Sequence, residues 1–138
     1  MVNNNYISKV VRELELFYIS ENGNRLDGSS YSIILFIPVI RFEGKYKYQL
    51  IVSAKNFDKY SRKEIISNIF KWFYQRLEKE EVDMVESIVV ANTNSPFVKN
   101  LSLIFPVKEG IREIDNLSVG GIKIQHGILI FSNLLRKL

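Results

Sequence analysis

YSIILFIPVIRFEGKYKYQLIVS, residues 31 to 53, contains two strands and the turn between them. Ile33 to Ile40 is apolar at every position, which predicts a strand covered on both of its faces rather than on one. Proline has no N–H to give to a ladder, so Pro38 predicts a bulge, or an edge, at that end of the strand. After the tight turn at Glu43-Gly44, Tyr46, Tyr48, Leu50 and Val52 alternate with Lys47, Gln49 and Ser53. That period of two makes the second strand of an antiparallel hairpin.

Upstream, Ile7, Val10, Val11, Leu14, Phe17 and Tyr18 recur at three- and four-residue spacing and predict a helix over Tyr6 to Ser20. The end of this segment also alternates, so a strand competes with the helix there. Asn22-Gly23 and Asp27-Gly28 are turn pairs and make Glu21 to Ser30 a loop. Downstream, Ser61 followed by Glu64 fits a capping box and opens a helix from Arg62 to about Glu80. Its core stripe is Ile66, Ile69, Phe70, Phe73 and Leu77, widened by Ile65 and Trp72. Val85 to Ala91 reads as a third strand. Ser95-Pro96 opens a short helix to about Leu103, with serine as cap and proline at the first helical position. Ile111 to Leu117 and Ile122 to Phe131 complete the pattern as strands turning at Gly120-Gly121, with a bulge expected at Gly127.

The order αββαβαββ defines one α+β domain over residues 1–138, with a mixed or antiparallel sheet of about five strands. A chain of 138 residues, 46% hydrophobic and 25% charged, falls in the range of one packed core. With no cysteine there is neither a disulfide framework nor a thiol nucleophile. The polar start of the chain lacks the pattern of a signal peptide, and no apolar run approaches the roughly 20 residues that span a bilayer. A cytoplasmic protein that does not enter the membrane is therefore expected, and the two Asn-Leu-Ser sequons at Asn100 and Asn116 count as chance matches. Abundant Lys, Ile and Asn fit an AT-rich, bacterial or phage genome.

No glycine spacing matches a dinucleotide turn or a phosphate-binding loop, and no cofactor is expected. His126 is the only histidine, so no His-pair metal site exists. Its simpler reading is a strand residue beside Gly127; its functional reading is a base or a phosphate contact. Glu109, Glu113 and Asp115 with Lys123 are the nearest approach to the acidic side chains and lysine of a metal-dependent nuclease. A solvated strand face explains them more simply.

Charge is segregated more sharply. Arg41, Lys45, Lys47, Lys55, Lys59, Arg62 and Lys63 face only Glu43 and Asp58 in their stretch, whereas Glu78, Glu80, Glu81, Asp83 and Glu86 face only Lys79. On one continuous helix this places bases at the start and acids at the end, against the helix dipole. Phe42, Tyr46, Tyr48, Phe57 and Tyr60 interleave with the bases, as stacking aromatics do in single-strand binders, although Tyr46 and Tyr48 share the core face of the hairpin.

Ile33 to Ile40, Ile88 to Ala91 and Ile128 to Phe131 are apolar on both sides of their strands, more surface than the available helices readily cover. The first expectation is therefore a non-enzymatic interaction module, a small subunit or adaptor of a homo- or hetero-oligomeric complex. A nucleic-acid binder using Arg41 to Lys63 is the alternative, and a carboxylate-dependent nuclease comes third.

Overall fold

The computed structural model describes residues 4–21, 32–42, 45–54, 57, 59–105 and 110–132. Along the chain come α1 (Asn4–Glu21), β1 (Ser32–Phe42), β2 (Lys45–Ala54), α2 (Arg62–Arg76), α3 (Lys79–Asp83), β3 (Val85–Val90), α4 (Pro96–Ile104), β4 (Gly110–Val119) and β5 (Ile122–Ser132). The strands form one five-stranded sheet in the order β3-β2-β1-β5-β4. Only β2 and β3 run parallel; the other neighbours are antiparallel. The fold is α+β, as its sequence pattern predicts, with one helix more than expected. The unbroken apolar run belongs to β1, the central strand, which needs cover on both faces. Its register against β2 shifts between Pro38 and Ile40, so the proline makes the expected bulge.

The additional helix arises at Leu77. Instead of continuing α2, Leu77 takes an extended conformation (φ −107°, ψ 157°) and drops into the core. Its N–H still bonds to the Phe73 carbonyl at 2.7 Å, and α3 restarts at once, with the Glu78 N–H donating to Glu81 Oε1 at 2.9 Å. Leu77 keeps the helical spacing from Phe73, so periodicity alone reads straight through the break. The buried stripe of α2 is Ile65, Ile69 and Phe73, with Ile66, Phe70 and Trp72 beside it. It is centred one residue earlier than the expected stripe.

Side chains of a strand alternate between its faces, so the sheet sorts its apolar residues by parity. Ile34, Phe36, Leu50, Val52, Ile88, Val90, Ile128 and Ile130 meet Tyr6, Val10, Leu14 and Phe17 of α1, the stripe of α2, and Val82 of α3. The Tyr6 and Tyr48 rings stack at 5.7 Å, and Phe17 meets Trp72 edge-on at 5.7 Å. Ile33, Leu35, Ile51 and Leu129 form the opposite face, under Phe97, Val98 and Leu101 of α4. Residues 33 to 36 are at most 2% exposed. The centre of the sheet is thus sheltered on both sides by the chain's own elements, contrary to the expectation that it lacks cover.

The second face closes by a change of parity in the β4–β5 hairpin. Ile114 and Val119 lie in the same cluster although their numbers differ in parity, and so do Ile124 and Leu129. Between them Asn116 adopts φ 53°, a left-handed conformation that asparagine tolerates better than most residues. The pairs Asp115↔His126 and Leu117↔Ile124 flank this point. Beyond it the ribbon turns its other side toward α4, and a Cβ on Gly120 would lie 2.7 Å from the Phe97 backbone. The irregularity is therefore at Asn116 rather than at the expected Gly127. Gly127 instead allows a close approach, since a Cβ there would sit 3.3 Å from Leu35 and from the Phe36 carbonyl oxygen.

Candidate functional site

The basic segment divides in space. Arg41 and Lys45 lie at the adjoining ends of β1 and β2, where Arg41 pairs with Tyr46 and Phe42 with Lys45; their side chains, and the turn expected at Glu43-Gly44, are outside the described residues. Lys47, two residues along β2, is 3.8 Å from Glu86. Lys55 is outside the described residues. Lys59, Arg62 and Lys63 are exposed at the start of α2, beyond the other end of β2. A strand of that length spans about 30 Å, so the seven bases do not make one surface.

The acidic run lies at the hairpin end. Glu80 and Glu81 stand in the first turn of α3, where a helix dipole favours anions, and Arg76 stands in the last turn of α2, where it favours cations. Once the break at Leu77 is recognised, ordinary helix energetics explain this half of the segregation. Glu81 also takes the Lys9 ammonium at 2.9 Å. Burial raises the Glu81 carboxyl, but the Glu78 N–H and Lys9 outweigh it and hold the group below the usual carboxylate range. The Tyr6 hydroxyl donates to the Glu81 carbonyl at 2.9 Å; burial, with Tyr48 and Glu81 adding, pushes its phenol well above the usual range. Arg62 and Lys63, in the first turn of α2, remain contrary to its dipole.

Of the interleaved aromatics, Tyr48 and Phe57 are core residues at 1% exposure, while Tyr60 is 47% exposed between Lys59 and Arg62. The side chains of Phe42 and Tyr46 are outside the described residues.

The constellation on β4 and β5 is only partly brought together. Asp115 and His126 are cross-strand partners, with Nδ1 2.8 Å from Oδ1. Glu113 lies opposite Ile128 and Lys123 opposite Ser118. Glu109 is outside the described residues, and among those described no three His, Asp or Glu side chains converge as metal ligands. An open depression of about 340 Å³ beside this pair is lined by Ile37, Pro38, Lys123, Gln125 and His126. Its existence follows from two irregularities that sequence reading did not connect: β1 stops pairing with β5 at Phe36↔Ile128, and the register on β1 shifts just beyond Pro38.

Among the described residues no helix is long and apolar enough to cross a membrane. No protein-family model, no curated protein and no solved structure matches this chain.

Proposed function

We propose that this protein is a non-enzymatic interaction module, a small subunit or adaptor of a homo- or hetero-oligomeric complex, and that β3 is the strand to which a partner adds. The observation that carries the reading is the outer edge of β3, which pairs with no strand among the described residues. The Ala91 N–H bonds to the Val52 carbonyl, so alternation along a parallel ladder turns the backbone groups of Ile88 and Val90 away from β2. Exposed edges are usually blunted by proline, lysine or a bulge. β3, VESIVV, has no proline or lysine; the register shift between Tyr48 and Gln49, which leaves Glu86 unpaired, blunts its first half alone, and Val89, 39% exposed, lies in the regular second half. Strand addition recognises such an edge through main-chain hydrogen bonds. Leu103 and Ile104, 79% and 45% exposed at the end of α4, add apolar surface of the kind that partners cover.

A second reading, nucleic-acid binding, is favoured by Tyr60 standing exposed among Lys59, Arg62 and Lys63, an aromatic platform beside cations that make no ion pair with another described residue. Light scattering across a concentration series, with co-purification from the native host, tests the first reading. The expected result is a particle heavier than the 16.1 kDa chain, or a stoichiometric partner protein, lost in Val89→Lys without change in the melting curve. A particle of 16.1 kDa at every concentration with no partner overturns it. Single-strand binding that weakens steeply with salt and disappears on charge reversal at Lys59, Arg62 and Lys63 would establish the second reading instead.

A further inference from the structure

We propose that the depression between the β1 bulge and the bend of β5 binds a small oxyanion, a phosphate or carboxylate group, borne on an apolar body. The donors come first. Lys123 and Gln125 stand on β5 at its rim with His126, and among the described lining side chains there is no carboxylate, Asp115 standing behind the His126 ring. A lysine ammonium offers three donors and no acceptor, and the amide of glutamine offers two more, so the wall is matched to an acceptor-rich group.

His126 is held for this purpose. Its Nδ1 is 2.8 Å from Asp115 Oδ1, and an ionised carboxylate only accepts, so Nδ1 carries a proton. The pair therefore fixes the ring with Nε2 turned to the ligand, and Nε2 contacts an oxyanion as a donor in the imidazolium form, in which both ring nitrogens carry a proton and the ring stands between the Asp115 carboxylate and the ligand. Cross-strand register sets this arrangement, because Asp115 and His126 are direct partners on β4 and β5. Asp115 thus acts as a positioning residue, and His126 and Lys123 as the contacts.

The floor is apolar and rigid. Ile37 and Pro38 supply it, and the proline ring has no N–H to compete for the ligand. β1 leaves the β5 ladder at Phe36↔Ile128, which opens the space; Gln125 lies between His126 and Ile124, the partners of Asp115 and Leu117, and so opposite Asn116, where the ribbon reverses its parity, and Lys123 lies two residues before it, opposite Ser118. Two backbone irregularities on different strands therefore converge on one concavity. An apolar floor below a cationic rim selects an amphipathic anion over a bare one.

The test is nuclear magnetic resonance on the full chain, titrated at constant ionic strength with inorganic phosphate, phenyl phosphate, benzoate and neutral benzyl alcohol. The expected result is saturable shifts at Lys123, Gln125 and the His126 ring with phenyl phosphate or benzoate, weaker with inorganic phosphate and absent with benzyl alcohol. Whichever of phenyl phosphate and benzoate binds more tightly identifies the anionic group. Lys123→Ala should weaken binding roughly tenfold or more, the worth of one charge-assisted hydrogen bond. Asp115→Asn should weaken it several-fold, broaden the His126 ring signals and leave the melting curve in place. Absence of saturation with any anion, equal response to benzyl alcohol, or indifference to Lys123→Ala overturns the site; indifference to Asp115→Asn overturns its positioning role.

Discussion

On one side of the sheet three helices and the strands bury twenty-two described residues in a single cluster; on the other, one nine-residue helix and a folded-over hairpin bury ten. The larger cluster is assembled from periodic patterns, each contributing many interchangeable apolar contacts. The smaller depends on individual backbone events, among them the left-handed Asn116 and the approach of Gly120 to Phe97. A layer built from many contacts loses stability by degrees, whereas a layer built on one or two close approaches is vulnerable at those points.

The strongest way to break this comparison is to remove one large side chain from each layer. Phe73→Ala, at a fully buried position among the three helices, should lower global stability by about 3 to 5 kcal/mol, and Leu101→Ala by about 2 to 4 kcal/mol. Hydrogen exchange separates them further: Leu101→Ala should expose amides of α4 and the β4–β5 tip while α1 and α2 stay protected. Equal loss of protection in α2 would show that the two layers unfold as one unit.

The next test compares adjacent glycines. Both have positive φ, 54° at Gly120 and 80° at Gly121, but a Cβ on Gly120 meets the α4 backbone at 2.7 Å whereas one on Gly121 meets nothing within 4 Å. Gly121→Ala should cost about 1 kcal/mol, the strain of the left-handed conformation alone. Gly120→Ala adds displacement of the hairpin tip and should cost about 2 to 4 kcal/mol in denaturant melts. Similar values for the two would mean that the tip does not secure α4.

The smallest effect belongs to the larger layer. Glu81 joins α1 to α3 through Lys9 and caps α3, so Glu81→Gln should cost on the order of 1 kcal/mol at neutral pH. Because its folded carboxyl is held below the usual range, its contribution is present above the ordinary glutamate value and is lost as pH falls through the lower folded one. The difference between wild type and Glu81→Gln should therefore shrink in acid melts; a difference that persists would exclude the ion pair as its source.

The same division decides what could be read from the sequence. Ile33 to Ile40 gave away the central strand, Ser61 with Glu64 the start of α2, and Ser95-Pro96 the start of α4, because each pattern acts over a few neighbouring residues. The ending of α2 escaped, since Leu77 keeps helical spacing while it leaves the helix. The parity change at Asn116 escaped as well, because an isolated asparagine in a strand does not declare its φ. For the same reason the depression beside His126 was invisible: its lining combines β1 with β5, and its opening depends on where their ladder stops. The seven bases looked like one surface because neighbours along a chain need not be neighbours once β2 stretches between them.

The reversal at Asn116 also imposes an order on synthesis. The far half of the ribbon contributes Val119 and Ile124 to the cover of Phe97, Val98 and Leu101, yet it lies some twenty residues later in the chain. While a ribosome is still making that stretch, α4 has no clasp, and its greasy side stays open to chaperones or neighbouring chains until the last strand emerges.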